Sequence, residues 1–177
     1  VLIDKLLKQY HEQGLTKDNL VFTDKSISNF LYIDLIQKIY PKAKFVYCYR
    51  NPIANVVGIF RSFLPNVFWS HSLDKIFDIM GIYYKKLDKI KNNKSTNLHI
   101  IELEKLTENP EKISKALYNF LGLEWSDDCI FNYNNKMIVK TASNLQVRDK
   151  IKKHDLNYTK SYLKIFNDLG FNNKWLS

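Results

Sequence analysis

Between Lys44 and Arg61 the chain reads Lys-Phe-Val-Tyr-Cys-Tyr-Arg-Asn-Pro-Ile-Ala-Asn-Val-Val-Gly-Ile-Phe-Arg, and its apolar period changes in the middle. Phe45 to Tyr49 is a continuous aromatic and β-branched run following Tyr40 and Pro41, which predicts a short strand buried on both faces. Asn51 as N-cap and Pro52 at the first helical position then predict a helix carrying Ile53, Val56, Val57 and Phe60 on one side. The same alternation occurs upstream: Leu20 to Phe22 reads as a strand, Thr23-Asp24-Lys25 as a polar turn, and Ser26 to Tyr40 as a helix with Ile27, Phe30, Leu31, Leu35 and Ile39 inward. Pro41 ends that helix, so Leu20 to Tyr49 forms one β-α-β unit with parallel strands.

The remaining pattern adds helices at Val1 to Gly14 and at Leu73 to Ile90, the latter with Ile76, Ile79, Met80, Tyr83, Tyr84 and Leu87 as a core stripe. A third strand is expected at Leu98 to Glu102, and a helix after Pro110 bears Ile113, Leu117 and Phe120 and stops at Gly122. Ser126 to Cys129 starts a short helix and Asn157 to Leu169 a longer one. Strands alternating with helices predict an α/β chain, a central parallel sheet flanked by helices, as one domain over residues 1–177.

Two cations change this picture. Arg50 stands at the carboxyl end of the Phe45 strand beside a helix N-terminus, where open α/β sheets bind ligands and where anions are favoured. An arginine at a strand end is also often a solvated surface charge. Lys25 ends the Leu20 strand, so parallel strands bring it to the same sheet edge, its alternative being a surface lysine paired with Asp24. The formal net charge is +9, but 24 of the 27 basic residues are lysines, a compositional bias that does not amount to a nucleic-acid stripe. Arg50, Arg61 and Arg148 are correspondingly more informative, because guanidinium offers a planar fork that lysine lacks.

Other chemistry is sparse. Cys48 and Cys129 fit buried thiols better than a disulfide, and His11, His71, His99 and His154 are scattered without metal-ligand spacing. The aromatic loop Asn66 to Trp69 either covers a site or packs. No apolar run approaches a membrane span and no signal pattern opens the sequence, so a cytoplasmic location is expected.

The motifs in series carry a resemblance. Tyr-Pro-Lys-Ala-Lys from Tyr40, the strand, and Arg50-Asn51-Pro52 resemble the 3′-phosphate-binding segment of sulfotransferases. Thr23-Asp24-Lys25 with Asn29-Phe30-Leu31-Tyr32 resembles the family's upstream Asp-Lys-x-x-x-Asn-Phe element. Glu104-Lys105-Leu106, Asn109-Pro110-Glu111 and Phe120-Leu121-Gly122-Leu123 resemble its later series. Thr141-Ala142-Ser143 with Gln146-Val147-Arg148 is similar to a motif of bacterial sulfotransferases linked to tetratricopeptide repeats, relatives of tyrosylprotein sulfotransferases.

The resemblance implies a three-layer, P-loop-like sulfotransferase fold and a sulfuryl transfer from 3′-phosphoadenosine 5′-phosphosulfate (PAPS) to a hydroxyl or amine acceptor. It implies that Arg50 binds the 3′-phosphate, that Lys25 is the catalytic lysine offsetting charge on the sulfuryl group, and that Thr141 and Ser143 line the adenine. It places Lys152 and Lys153 near the basic loop over the 3′-phosphate, and leaves Arg148 open between a ligand contact and a loop-fixing ion pair. The family sets a serine eight residues after its arginine, where this sequence has Gly58, with Ser62 one turn later. Nothing before Leu20 matches the family's first strand and Gly-x-Pro-Arg-Ser-Gly-Thr phosphosulfate loop, so the chain is expected to be N-terminally truncated, with a longer chain or a second copy covering the edge. No general base is nominated, and the acceptor is not legible. A noncatalytic anion- or nucleotide-binding module is the alternative, and a P-loop kinase is disfavoured because Gly-x-x-x-x-Gly-Lys-Ser/Thr is absent.

Overall fold

The computed structural model describes residues 5, 8–9, 11–12, 23–62, 64–93, 97–130 and 151–176. The chain divides into two compact units, Val1–Tyr32 and Ile33–Ser177. The expected strand at Leu20 to Phe22 and most of the expected helix at Val1 to Gly14 lie outside the described residues. In the first unit, residues 5, 8, 9, 11 and 12 have helical backbone, with Lys8 Nζ 3.9 Å from Glu12 Oε1 one turn on. Asp24 Oδ1 accepts the Ser26 N–H at 3.0 Å, and this turn leads into a 3-10 helix at Ile27–Tyr32.

The second unit runs α1 (Ile33–Ile39), β1 (Phe45–Tyr49), α2 (Pro52–Arg61), a 3-10 turn at Phe68–His71, α3 (Leu73–Asn92), β2 (Leu98–Glu102), α4 (Leu103–Glu108), α5 (Pro110–Leu121), a 3-10 turn at Asp127–Cys129, α6 (Thr159–Asp168) and a last 3-10 turn at Lys174–Leu176. β1 and β2 pair in parallel, from Phe45 opposite Leu98 to Tyr49 opposite Glu102. Parallel partners point to the same face, and successive residues alternate. On one face Tyr49 meets Tyr84 of α3 edge-on at 6.2 Å, and on the other His99 stacks on Phe120 of α5 at 5.0 Å. The sheet therefore lies between helices, the α/β layering expected from the sequence. Burial is the first cause raising the Tyr47 phenol, to about 12, with the neighbouring Tyr49 phenol second.

The local chemistry explains most boundaries. Asn51 Oδ1 accepts the Ala54 N–H at 3.0 Å and Pro52 occupies the first turn, so α2 starts as anticipated. Gly122 closes α5 in the left-handed region at φ 74°, a conformation only glycine adopts without strain. Ser126 caps the Asp127 turn by accepting from the Asp128 N–H. α4 was not foreseen, since six residues are too few to show a helical period.

Three expectations about burial are corrected. β1 is covered on one face only: Val46 is 39% exposed and Cys48 is exposed, because α5 sits over β2, held by Lys44 Nζ donating to the Leu121 carbonyl at 2.8 Å. Cys48 is accordingly not a buried thiol. The stripe from Ile27 to Ile39 does not stay on one side, leaving Ile27 79% and Leu35 54% exposed while Ile33 is buried. The physical reason is the 3-10 turn, whose side chains repeat every three residues and so break a stripe drawn at 3.6. Phe60 is also half exposed, at the last turn of α2, whereas Ile53, Val56 and Val57 are buried as expected.

Beside a largely aliphatic core that includes Val56, Ile76 and Leu87, a cluster of rings joins α3 to the C-terminal segment. Phe77 of α3 stacks on Phe171 at 4.1 Å, meets Phe166 of α6 edge-on at 5.3 Å and lies 5.4 Å from Trp175, which itself stacks on Tyr84 at 4.9 Å. The final segment is thus folded against α3 by ring contacts. No helix among the described residues is long and apolar enough to cross a membrane.

Candidate functional site

Because β1 and β2 run in the same direction, both deliver their carboxyl ends to one place. Arg50 follows β1 directly, and Glu104 stands in the first turn of α4 directly after β2. The two junctions are tied together. Glu104 Oε1 accepts the Asn51 N–H at 2.9 Å, so a carboxylate from one strand end fixes the strand-to-helix turn at the other. The Tyr84 hydroxyl of α3 lies 3.5 Å from the Arg50 carbonyl that accepts from it, backed by the stacked Trp175. Burial raises the Tyr49 phenol next to this turn, with Glu104, Glu102 and Asp88 adding to the effect.

The Arg50 guanidinium lies back over α2. A Cβ at Gly58 would stand 3.1 Å from Arg50 Nη1 and 3.8 Å from its Cζ, so the glycine opens the bed in which the fork rests. Arg50 Nη2 is 3.4 Å from His154 Nε2, and Arg50 Nε is buried without a hydrogen-bond partner among the described residues. A buried donor left without an acceptor costs about 1–3 kcal/mol. Ser62, the hydroxyl one turn beyond Gly58, is turned back to donate to the Gly58 carbonyl at 2.7 Å and so remains within its own helix end.

His154 is held from below. Its N–H donates to Thr107 Oγ1 at 3.1 Å, and that hydroxyl donates to the Glu104 carbonyl at 3.0 Å. A chain of contacts therefore closes on itself: Arg50, Asn51, Glu104, Thr107, His154 and back to Arg50. An open groove of about 520 Å³ borders it, lined by Glu104, Glu108, Lys153, His154, Asp155, Leu156 and Asn157.

The other residues singled out in the sequence fall as follows. Lys153 Nζ is 2.7 Å from Glu108 Oε1; the hydrogen bond and charge of the lysine hold that carboxylate below its usual range and the carboxylate holds the lysine above its own. Lys152 is exposed on the same segment, and Lys25 is exposed on the turn of the first unit. Thr141, Ser143 and Arg148 lie outside the described residues. His154 was set aside in the sequence because it lacked metal-ligand spacing, and a lone histidine gives no signal of a contact made across 104 residues of chain.

The sequence matches the model of the sulfotransferase family over residues 2–127. This chain belongs to the sulfotransferase family. The matched span contains Lys25, Arg50, Gly58 and Glu104, while Lys153 and His154 lie beyond it. The helix–sheet–helix layering of the second unit accords with the α/β sulfotransferase fold. The chain is also 28% identical over 178 residues to an uncharacterized protein of Aquifex aeolicus (strain VF5), an overlap covering 91% of this chain and 22% of that one. The chain thus spans about a fifth of the length of this relative.

In this member of the family the glycine bed is open to test. Gly58→Ala is expected to stabilise α2 by about 0.5–1 kcal/mol by removing a mid-helix glycine. The guanidinium, the end of a long side chain, gives way by a few tenths of an ångström at the 3.1 Å approach. Thermal unfolding reads the outcome, and a fall in melting temperature would show that Arg50 is too tightly fixed to yield.

Proposed function

We propose that this chain contributes the 3′-phosphate end of a PAPS-dependent sulfotransferase site, of the bacterial tetratricopeptide-linked or tyrosylprotein type, acting on a hydroxyl or amine acceptor. The observation that carries the reading is the Arg50 guanidinium, set at the joint carboxyl ends of two parallel strands, bedded on Gly58 and retaining a buried Nε–H without a partner among the described residues. Such a fork beside a helix N-terminus fits a phosphate, which accepts from several donors at once. PAPS, when bound, supplies the sulfuryl group and a leaving phosphate.

The chain's own residues have separate tasks in this reading. Arg50 takes the 3′-phosphate, and Glu104, through Asn51, keeps the turn that presents it. Lys25 offsets charge on the sulfuryl group, since transfer of this kind depends on positioning and charge stabilisation more than on covalent help. Thr141 and Ser143 line the adenine, and Lys152 and Lys153 belong to the loop over the phosphate, Lys153 with its charge balanced by Glu108. The Gly-x-Pro-Arg-Ser-Gly-Thr pattern occurs nowhere in the 177 residues, so the proposal concerns the nucleotide's 3′-phosphate end.

The test is a calorimetric titration of the chain with PAP (3′-phosphoadenosine 5′-phosphate) and, in parallel, with 5′-AMP, which differs only in lacking the 3′-phosphate. Saturable binding of PAP at least tenfold tighter than 5′-AMP is expected, from the charge-assisted contacts that only PAP makes. Equal affinity for the two would remove the 3′-phosphate from Arg50 and overturn the assignment.

A further inference from the structure

The family resemblance implies that Lys152 and Lys153 lie near the basic loop over the 3′-phosphate, yet the side chain that reaches Arg50 is the next one along. His154 Nε2 stands 3.4 Å from Arg50 Nη2, while Lys153 turns away to Glu108. His154 is also not loosely placed, since its backbone N–H is fixed on Thr107 Oγ1 and, through Thr107, on the same Glu104 that holds the Asn51 turn. The backbone that carries the imidazole is thus anchored to the same α4 residue that fixes the turn after Arg50.

The chemistry of that contact depends on one proton. A neutral imidazole with its hydrogen on Nδ1 offers the Nε2 lone pair to the Arg50 N–H, and the contact is a hydrogen bond. A protonated imidazole has an N–H on both nitrogens, so it would set a donor against a donor and one positive charge against another. An anion with several acceptor oxygens reverses the balance, because both groups can then donate to it. The charged neighbours do not replace it in that role. Glu104 and Glu108 of α4 line the adjoining groove, but Glu104 Oε1 accepts from Asn51 and Glu108 pairs with Lys153. On the segment of His154 itself, Lys153 is that pairing partner, and Asp155 Oδ1 accepts the Asn157 N–H at 2.8 Å. From α2 the guanidinium meets the uncharged Gly58, and from α3 the Tyr84 hydroxyl is directed to the Arg50 carbonyl.

We propose that His154 is a second ligand of the Arg50 anion subsite, engaging phosphate as an imidazolium, so that binding draws one proton from solvent onto the ring. The inference rests on the reading of Arg50 as the 3′-phosphate residue. It assigns the site a residue that the motif series does not contain, and a pH response that a lysine in its place would not give.

Calorimetric titration with PAP at pH 7.5 in two buffers of different ionisation heat measures proton uptake directly, and titrations from pH 8 to pH 6.5 follow the affinity while the phosphate remains largely dianionic, its second ionisation lying near about 6. Net uptake and tighter binding toward pH 6.5 are expected. His154→Gln keeps an acceptor for Arg50 but cannot take a proton; it is expected to abolish the uptake, flatten the profile and weaken PAP about tenfold at pH 6.5. His154→Arg, always charged, is expected to restore affinity without uptake. If PAP binds and His154→Gln takes up as many protons as the unaltered chain, His154 is a structural prop and the inference falls while Arg50 stands. If PAP binds no more tightly than 5′-AMP, the proposed function falls and this inference with it.

Discussion

Phe77→Ala is expected to lower the free energy of unfolding by about 3–5 kcal/mol, the range for removing a buried aromatic ring from a core that cannot fully close behind it. Phe77 is 3% exposed and is the shared neighbour of three rings, Phe166, Phe171 and Trp175, contributed by α6 and by the chain that follows it. Its loss leaves a void on α3 walled by rings of α6 and of the segment directly after it. Domains of this size unfold with about 5–15 kcal/mol, so the variant should melt far earlier or fail to accumulate. Phe77→Leu, which keeps most of the volume, should cost less, separating the cavity from the loss of hydrophobic character. Chemical denaturation followed by far-UV circular dichroism reads both, and a Phe77→Ala cost below about 1 kcal/mol would show that the C-terminal segment is not docked through these rings. The consequence extends to the site, because Trp175 stacks on the Tyr84 whose hydroxyl faces the Arg50 carbonyl.

That coupling was largely invisible in the sequence. The strand at Phe45 to Tyr49, the Asn51-Pro52 helix start, the strand at Leu98 to Glu102 and the glycine stop at Gly122 were legible, because each depends on residues adjacent in the chain. The stripe on α3 was legible too, but Phe77, which lies one step off it, is the ring that gathers the C-terminal aromatics. Periodicity tells which face of a helix turns inward without telling what arrives to cover it. The exposure of Val46 and Cys48 was missed for the same reason: a continuous apolar run shows that a strand can be covered twice, and where α5 sits decides whether it is.

The site divides along the same line. Arg50 was legible as a candidate because a strand end, an N-cap and a proline mark it within four residues. Glu104 was noticed only as part of a motif, and its grip on the Asn51 N–H across 53 residues required the parallel register of β1 and β2. Gly58 reads in the sequence as a missing hydroxyl and a weak point in a helix. In the fold its missing Cβ lets the guanidinium lie close against α2, which makes an apparent defect a neighbour of the candidate site. His154, whose contact depends on the Thr107 anchor, left no trace in the pattern of residues.

Arg50→Ala should separate the binding role of this position from its structural one. It is expected to weaken PAP by about 1.5–3 kcal/mol, roughly 10- to 150-fold, the loss of charge-assisted hydrogen bonds to a phosphate. Arg50→Lys is expected to recover only part of this, since a single ammonium cannot reproduce the fork that lies along α2 toward His154. Stability should respond differently. The substitution removes the packing of the arginine stem, which costs, and removes a buried Nε–H that has no acceptor among the described residues, which relieves a penalty of about 1–3 kcal/mol. The two offset, so the melting temperature of Arg50→Ala should stay close to that of the unaltered chain while nucleotide affinity collapses. A structural arginine predicts the reverse, a large fall in stability with PAP binding retained in whatever remains folded. Titration calorimetry and thermal unfolding on the same preparation distinguish the two. The first outcome would show that the buried donor at the end of β1 is maintained against the interest of the fold, as a group that finds its acceptor in a bound anion.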